Sequence, residues 1–449
     1  MQAKSVFFKT YGCSFNQMDS EIMMGKLHQK GFEITKTDEN ANLIVINSCT
    51  VKNLSESKFF KDITHYQSQD KKLVLTGCIT QAEENYLTNE LDGISVIGTN
   101  DLDQIVHVCE QTLQNNPIQF VSKLGRKREN EEQRYEKEQL RLLSPKIRSN
   151  PHVEIIPINE GCLNTCSFCK TKQARGTLFS YSIQTIKQSM QNAINTGAYE
   201  IYLTSQDTGC YGFDIGTTLP ELLKELLTIK GDYKIRIGMG NPNHFKKIID
   251  EVLDIMIKDE RIYRFLHIPL QAASNRVLDE MKRMYTLQDY EEICLKAKLK
   301  IPNITLANDI IVAYPTETKE EFKETLKAII KNGTNVLNYS RFWLRPNTPA
   351  DKLYSSKQFI LGDESKRRSK EIRECFEQHA LILNQKWKNW QGEVIISDVS
   401  REEGIKIARN LYYKHILVED KDNQLQIGQK VNVKIHDVDW KSFFAKRID

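Results

Sequence analysis

With 449 residues, 40% of them apolar and 27% charged, the chain has the make-up of an ordinary globular protein and enough length for roughly two to four domains. A net charge of +4 is compatible with a nucleic-acid partner without requiring one. No apolar run approaches the roughly eighteen residues of a membrane span. The start, Met1-Gln2-Ala3-Lys4-Ser5-Val6-Phe7-Phe8, meets Lys9 too soon to be an export signal. The ten cysteines are therefore expected to be thiols or metal ligands of a cytoplasmic protein with no membrane association, not disulfides.

Residues 1–120 predict a compact α/β domain. Val6–Phe8, Leu43–Ile46, Leu73–Leu75 and Ser95–Ile97 read as buried strands, with helices over Ser20–Gln29, Glu56–Tyr66, Gln81–Asn89 and Leu102–Leu113. Such alternation implies a mostly parallel sheet. Cys13, Cys49 and Cys78 each follow a predicted strand, beside glycine or small polar neighbours. Three such loops at one edge of a parallel sheet converge on a point. The residues leave two readings open: three separate buried thiols, or a second three-thiol metal site.

Residues 121–150 are rich in both signs of charge, from Lys123, Arg126, Lys127 and Arg128 to Glu136 and Lys137. They read as a solvated linker or surface helix, with a phosphate-binding role as the alternative. Residues 151–385 alternate strand and helix. The predicted strands are Val153–Ile158, Glu200–Thr204, Lys234–Met239, Arg264–Ile268, Ile304–Val312 and Asn335–Phe342. Helices are expected over Ile183–Thr196, Pro220–Ile229, Phe245–Ile257 and Lys319–Lys331, with a shorter one after Ser274 and a charged one over Asp363–Trp390. The pattern fits a partial (βα)6 barrel, whose chemistry belongs at the C-terminal ends of its strands. Residues 386–449 show short alternating runs at Val394–Ile396, His415–Val418 and Val431–Ile435, the mark of a small β-barrel.

Directly after the first barrel strand comes Gly161-Cys162-Leu163-Asn164-Thr165-Cys166-Ser167-Phe168-Cys169, a C-x3-C-x2-C run with no fourth cysteine or histidine nearby. Structural zinc takes four protein ligands. Three thiolates on a [4Fe-4S] cube leave one iron open to bind a small molecule. Cys109, Cys294 and Cys375 read as helix residues of the core, Cys210 as a residue near the mouth without a ligating role, and His267 as a strand-end residue of the core or beside the site, not a catalytic one.

This loop, at the head of a six-fold α/β region, resembles the radical S-adenosylmethionine enzymes. That likeness implies a [4Fe-4S] cluster on Cys162, Cys166 and Cys169 that cleaves S-adenosylmethionine. The N-terminal segments Thr10-Tyr11-Gly12-Cys13-Ser14-Phe15-Asn16-Gln17-Met18-Asp19-Ser20-Glu21, Asn47-Ser48-Cys49-Thr50-Val51 and Gly77-Cys78 resemble the methylthiotransferases within that superfamily. The resemblance covers essentially the whole chain. It implies an auxiliary [4Fe-4S] cluster on Cys13, Cys49 and Cys78, and a terminal barrel of the RNA-binding TRAM type.

Lys170-Thr171-Lys172-Gln173-Ala174-Arg175-Gly176 and Leu203-Thr204-Ser205-Gln206-Asp207-Thr208-Gly209-Cys210 are similar to the group acting on N6-threonylcarbamoyladenosine beside the anticodon of tRNA. The implied reaction is methylthiolation at C2 of that base at position 37, fed by an unidentified electron donor. Lys172 and Arg175 are expected to meet a substrate carboxylate or phosphate, and Gln206 and Asp207 to hold S-adenosylmethionine. The rival readings are a ribosomal-protein methylthiotransferase and a non-catalytic RNA-binding protein with structural metal sites. Ala313 and Thr316 stand where the family pattern has glycine, so loop backbone is expected to differ there if those positions need a positive φ; Asn347 replaces a third such glycine and can still adopt the left-handed region. In the terminal domain Lys388, Arg401, Lys406, Arg409, Lys414 and Lys430 are expected to form a basic face, with Tyr412, Tyr413 and Trp440 as base-stacking rings or core.

Overall fold

The computed structural model describes residues 4–50, 53–82, 93–122, 131–354 and 359–448. The N-terminal sheet is six-stranded and parallel throughout, running Glu33–Ile34, Ser5–Thr10, Leu43–Ser48, Lys72–Gly77, Ser95–Ile97, Gln119–Phe120. Its centre is apolar on both faces because both are covered. Ile44, Ile46 and Leu75 pack on Phe59, Ile63 and Tyr66. Leu43, Val45 and Val74 pack on the opposite side against Met23, Leu27 and Val108. This is the strand period of two read out on two cores. Of the helix expected over Gln81–Asn89, a helix at Cys78–Ala82 is seen, and residues 83–89 lie outside the described residues.

The central domain carries six parallel strands in sequence order: Val153–Pro157, Glu200–Thr204, Lys234–Ile237, Phe265–His267, Thr305–Val312 and Val336–Arg341. The two triplets meet at one bridge, Ile235 to Ile262. No ladder joins the first strand to the last among the described residues, so the barrel is open. Helices Ile183–Asn195, Leu219–Leu226, Ile249–Lys258, Leu287–Lys300 and Lys319–Lys331 wrap it. Three of them start on a reciprocal capping box, Thr218/Glu221, Thr286/Asp289 and Thr318/Glu321. Helix Ser14–Gln29 lays Phe15, Met18 and Ile22 on Ile155 of the first barrel strand, which sets the N-terminal sheet against the barrel.

The charged connector departs from a solvated linker. Lys123, Arg126, Lys127 and Arg128 lie outside the described residues. Beyond them, Glu131–Glu138 is a helix and Gln139–Leu143 a π-turn whose Arg141 and Leu142 are buried. The buried charges are satisfied locally, as burial demands: Glu138 accepts from Ser182 and Thr185, and Arg141 pairs with Asp19.

Five strands close the C-terminal barrel in the order Gln391–Val399, Ile405–Arg409, Ile416–Glu419, Phe443–Arg447, Lys430–Val438. Its underside docks on the central domain. The Tyr413 hydroxyl meets that of Tyr202 at 2.8 Å, and its ring lies 4.8 Å from Tyr263 and 5.1 Å from Phe265. The Tyr412 carbonyl accepts from Thr305 Oγ1. These two rings are therefore interface residues and not open base-stacking platforms. The expected basic face is also largely spent: Lys414 is buried over Trp387, Lys406 and Lys430 pair with Asp420 and Asp232, and Arg409 lies over Tyr413. Arg401 and Trp440 face solvent.

Candidate active site

The three N-terminal cysteines follow three neighbouring strands of one parallel sheet, so their loops gather at one edge. Glycines make the gathering possible. Gly12, at φ +109°, would place a Cβ 2.8 Å from Cys49 Cβ, and Gly77, at φ +100°, one 2.4 Å from the Ser48 carbonyl. Asn16 then ties the loops together. Its Nδ2 donates to the carbonyls of Tyr11 and Ser48 at 2.9 and 2.7 Å, and its Oδ1 accepts from the Cys78 thiol at 3.5 Å. Asn47 Nδ2 donates to the Asn16 carbonyl and to Ser20 Oγ.

The other three cysteines sit in a loop pinched at its base. Asn159–Glu160 pairs antiparallel with Phe179–Ser180, and the Cys162 amide donates to the Gly176 carbonyl. Burial, with the Asp207 carboxylate second, pushes the Cys162 thiol up to about 12. Burial likewise raises Cys166, opposed by the Arg283 guanidinium. Donors are aimed at sulfur: Arg283 Nη1 lies 3.2 Å from Cys166 Sγ and the Thr171 amide 3.4 Å from Cys169 Sγ. Two thiols raised by burial, Cys162 and Cys166, with donors aimed at Cys166 and Cys169, suit a set of three soft ligands charged by metal binding. The donor set fits a [4Fe-4S] cluster with one open iron. Cys13, Cys49 and Cys78 are a second set of three soft donors, of which burial raises the Cys78 thiol.

The loops that carry the two sets meet at the domain boundary. Ser14, next to Cys13, reaches Thr204 at the end of the second barrel strand, Oγ to Oγ1 3.1 Å. Thr99 Oγ1 donates to the Ala174 carbonyl. Arg345, which donates to the Phe168 carbonyl at 3.3 Å, lies within electrostatic reach of both Cys169 and Cys49.

Of the other residues expected at the site, Asp207 is committed within the chain. Its Oδ1 accepts from the amides of Gly209 and Asn241 at 3.0 and 2.9 Å, and its Oδ2 meets His244 Nδ1 at 2.7 Å and Asn164 Nδ2 at 3.3 Å. Asp207 thus holds the cysteine loop, through Asn164, to the end of the second strand. Cys210 and His244 lie beside it, but its oxygens already have partners. Gln206 keeps Oε1 buried with no hydrogen-bond partner among the described residues. Lys172 Nζ reaches the Leu163 carbonyl at 3.4 Å, on the open side of the loop. Arg175 is instead buried at the domain boundary, with Nη1 2.7 Å from Asp19 Oδ2 and Nη2 2.7 Å from Asn16 Oδ1. Its fork is not offered to a substrate. Asp19, Arg141 and Glu160 form the rest of this buried network and carry no signal in the sequence beyond Asp19's place in the segment around Cys13.

Residues 156–329 match the model of the radical SAM superfamily, and residues 5–98 that of the uncharacterized protein family UPF0004. A solved radical S-adenosylmethionine methyltransferase, TsrM from Kitasatospora setae, shares the fold at a TM-score of 0.53 and 12% identity, over 78% of this chain and 75% of its own. Fold and thiol loop together define a radical S-adenosylmethionine enzyme. Threonylcarbamoyladenosine tRNA methylthiotransferases of Xenopus laevis and Homo sapiens are 39% and 38% identical over 96% and 97% of this chain, and over 75% and 72% of their own length. A probable one from Pyrococcus horikoshii is 35% identical over 92% of this chain and 93% of its own. The chain belongs to the threonylcarbamoyladenosine tRNA methylthiotransferase family.

Proposed function

We propose that this protein places a methylthio group on C2 of N6-threonylcarbamoyladenosine at position 37 of tRNA, with S-adenosylmethionine as methyl donor and radical source. The observation that carries this reading is the pair of three-thiol sets on loops that meet at the domain boundary. When bound, the groups on Cys162, Cys166 and Cys169 and on Cys13, Cys49 and Cys78 supply, respectively, the electron that cleaves S-adenosylmethionine and a place for sulfur. The C2–H bond of adenine is not acidic, so proton transfer alone cannot open it, and a radical route follows from that chemistry.

The chain's own residues orient. Asp207 and Asn164 fix the Cys162 loop, Arg283 favours the thiolate of Cys166, and Ser14 holds the sheet edge to the end of the second barrel strand through Thr204. Gln206, with its buried unpartnered carbonyl oxygen, is the residue we assign to S-adenosylmethionine, and Lys172 to the substrate's carboxylate or a phosphate. Residues 1–120 and 151–385 each present one thiol set, and 386–449 is the RNA-holding barrel, with Arg401 and Trp440 toward the tRNA. No described helix is long and apolar enough to cross a membrane. We place the reaction in the cytoplasm, with a one-electron donor protein as partner.

The test is anaerobic reconstitution followed by nucleoside mass spectrometry. About eight irons per chain are expected, and about four in each Cys→Ala triple. tRNA from a strain lacking the gene should lose the methylthio form of threonylcarbamoyladenosine, and the wild-type gene should restore it. An unchanged methylthio signal overturns the substrate. Zinc in place of iron, with no 5′-deoxyadenosine formed under reducing conditions, overturns the chemistry.

A further inference from the structure

Arg175 occupies an unusual place for a residue of the radical-cluster loop. It ends the short helix Thr171–Arg175 that follows Cys169, yet its side chain leaves the barrel and enters the N-terminal domain. There its guanidinium lies 4.6 Å above the Phe15 ring, donates to Asn16 Oδ1 and pairs with Asp19 Oδ2. Asn16 Oδ1 is the same atom that takes the Cys78 thiol. Arg175 and Cys78 thus converge on one acceptor.

The charge count is uneven. Asp19 gives one oxygen to each of two buried guanidiniums, Arg141 at 2.6 Å and Arg175 at 2.7 Å. Arg141 has a second carboxylate in Glu160 at 3.7 Å. Within ion-pair distance of Arg175 the described residues supply only the shared one; Glu160, which acts on it from further away, already pairs with Lys137. A buried guanidinium with half a counter-ion is poorly compensated. An anion beside Cys78 would complete it. Three thiolates on a cubane whose core carries a charge of about +2 leave about one net negative charge, which suits this position. Loss of the Cys78 proton also removes the S–H donor to Asn16, and Arg175 has further N–H groups to turn toward that sulfur.

We infer that Arg175 is a positioning residue for the auxiliary site: it supplies the positive charge that offsets an anionic cluster on Cys13, Cys49 and Cys78, and ties that cluster's place to the loop of Cys162, Cys166 and Cys169. This rests on the reading of Cys13, Cys49 and Cys78 as cluster ligands. A positive charge acting through space makes reduction easier, so its removal makes reduction harder. Removal of the Asp19 charge acts in the opposite sense.

The experiment uses the full chain with Cys162, Cys166 and Cys169 changed to Ala, so that only the auxiliary site can load. Iron is counted after anaerobic reconstitution, and the potential is read by a redox titration followed by electron paramagnetic resonance. Arg175→Met is expected to disfavour reduction at least tenfold, about 59 mV for one electron. Arg175→Lys is expected to stay near the parent, and Asp19→Asn to favour reduction. Opposed shifts separate charge from mere folding, because a structural defect would not change sign between Arg175→Met and Asp19→Asn. If Arg175→Met does not fold, the direction of the Asp19→Asn shift still decides, with Arg175→Lys as the charge-preserving control. Iron in the parent with shifts that are absent, or of one sign in the variants, overturns the inference about Arg175. A parent that takes up no iron overturns the cluster reading itself.

Discussion

Arg283 donates from Nη1 to the Sγ of Cys166 at 3.2 Å and from Nε to the Tyr285 hydroxyl at 3.1 Å. The pairing joins the loop after the fourth barrel strand to the middle cysteine of the C-x3-C-x2-C run, across more than a hundred residues of chain. A hydrogen bond to a charged group contributes about 1.5–3 kcal/mol. Arg283→Met is therefore expected to speed iron loss to a chelator by roughly ten- to a hundredfold, measured in a chain whose auxiliary cysteines are Ala. Arg283→Lys should fall between. An unchanged loss rate in Arg283→Met would show that the bond does not act on the bound thiolate.

The ordering of strands along the chain was legible because parallel α/β units bury strands on both faces, which leaves dense apolar runs such as Leu43–Ile46. The cysteine loops were legible because thiols after strand ends stand out against their polar neighbours. What the sequence hid is long-range. The strand Ile405–Arg409 alternates too weakly in apolarity to be singled out, and the helix Leu287–Lys300 is marked chiefly by its Thr286/Asp289 capping box. The role of Arg175 could not be read from its neighbours, since its partners Asp19 and Asn16 lie far back in the chain and become close only when the two domains meet. Tyr413 likewise looks like an exposed ring in its own barrel until Tyr202, Tyr263 and Phe265 arrive from another domain.

Ala313 and Thr316 keep the left-handed backbone that glycine would favour, at φ +62° and +70°. For a residue with a Cβ this costs roughly 1–2 kcal/mol. Ala313→Gly removes the strain, at a small entropic loss, and retains the backbone amide that donates to Glu317 Oε2. It is expected to raise stability by about 1 kcal/mol in denaturant melts. Thr316→Gly should gain far less, because Thr316 Oγ1 bonds Glu280 Oε2 at 2.8 Å and Arg276 Nη1 at 3.2 Å. Equal gains at the two positions would count against this account.

Tyr413 fastens the terminal barrel to the core. Tyr413→Phe loses the hydroxyl pair with Tyr202 and is expected to cost about 1 kcal/mol. Tyr413→Ala also empties the space against Tyr263 and Phe265 and should cost about 3–5 kcal/mol. The readouts are a denaturant melt and the rate of proteolysis in the segment leading to the barrel, which should rise in Tyr413→Ala. If both variants melt like the parent, the barrel is held elsewhere.

Lys414 is buried, with Nζ 5.4 Å from the Trp387 ring and 5.8 Å from the Phe443 ring, and no carboxylate pairs with it among the described residues. Burial, with Lys386 adding like charge, pulls its ammonium down to about 7 from the usual 10.5. Between those two values the unfolded chain holds the proton more often than the folded one, so stability rises with pH through that window. Below about 7 both states are charged, and the folded protein bears the full cost of the buried ammonium. Above 10.5 neither is charged and the cost is gone. Lys414→Met should therefore stabilise most below pH 7, by a few kcal/mol in order of magnitude, and the gain should shrink steadily as the pH is raised toward 10.5. Denaturant melts of parent and variant across that range decide it: a gain that does not depend on pH would mean that the substitution acts through packing against Trp387 and Phe443, and a loss would mean that the cation over those rings stabilises the barrel.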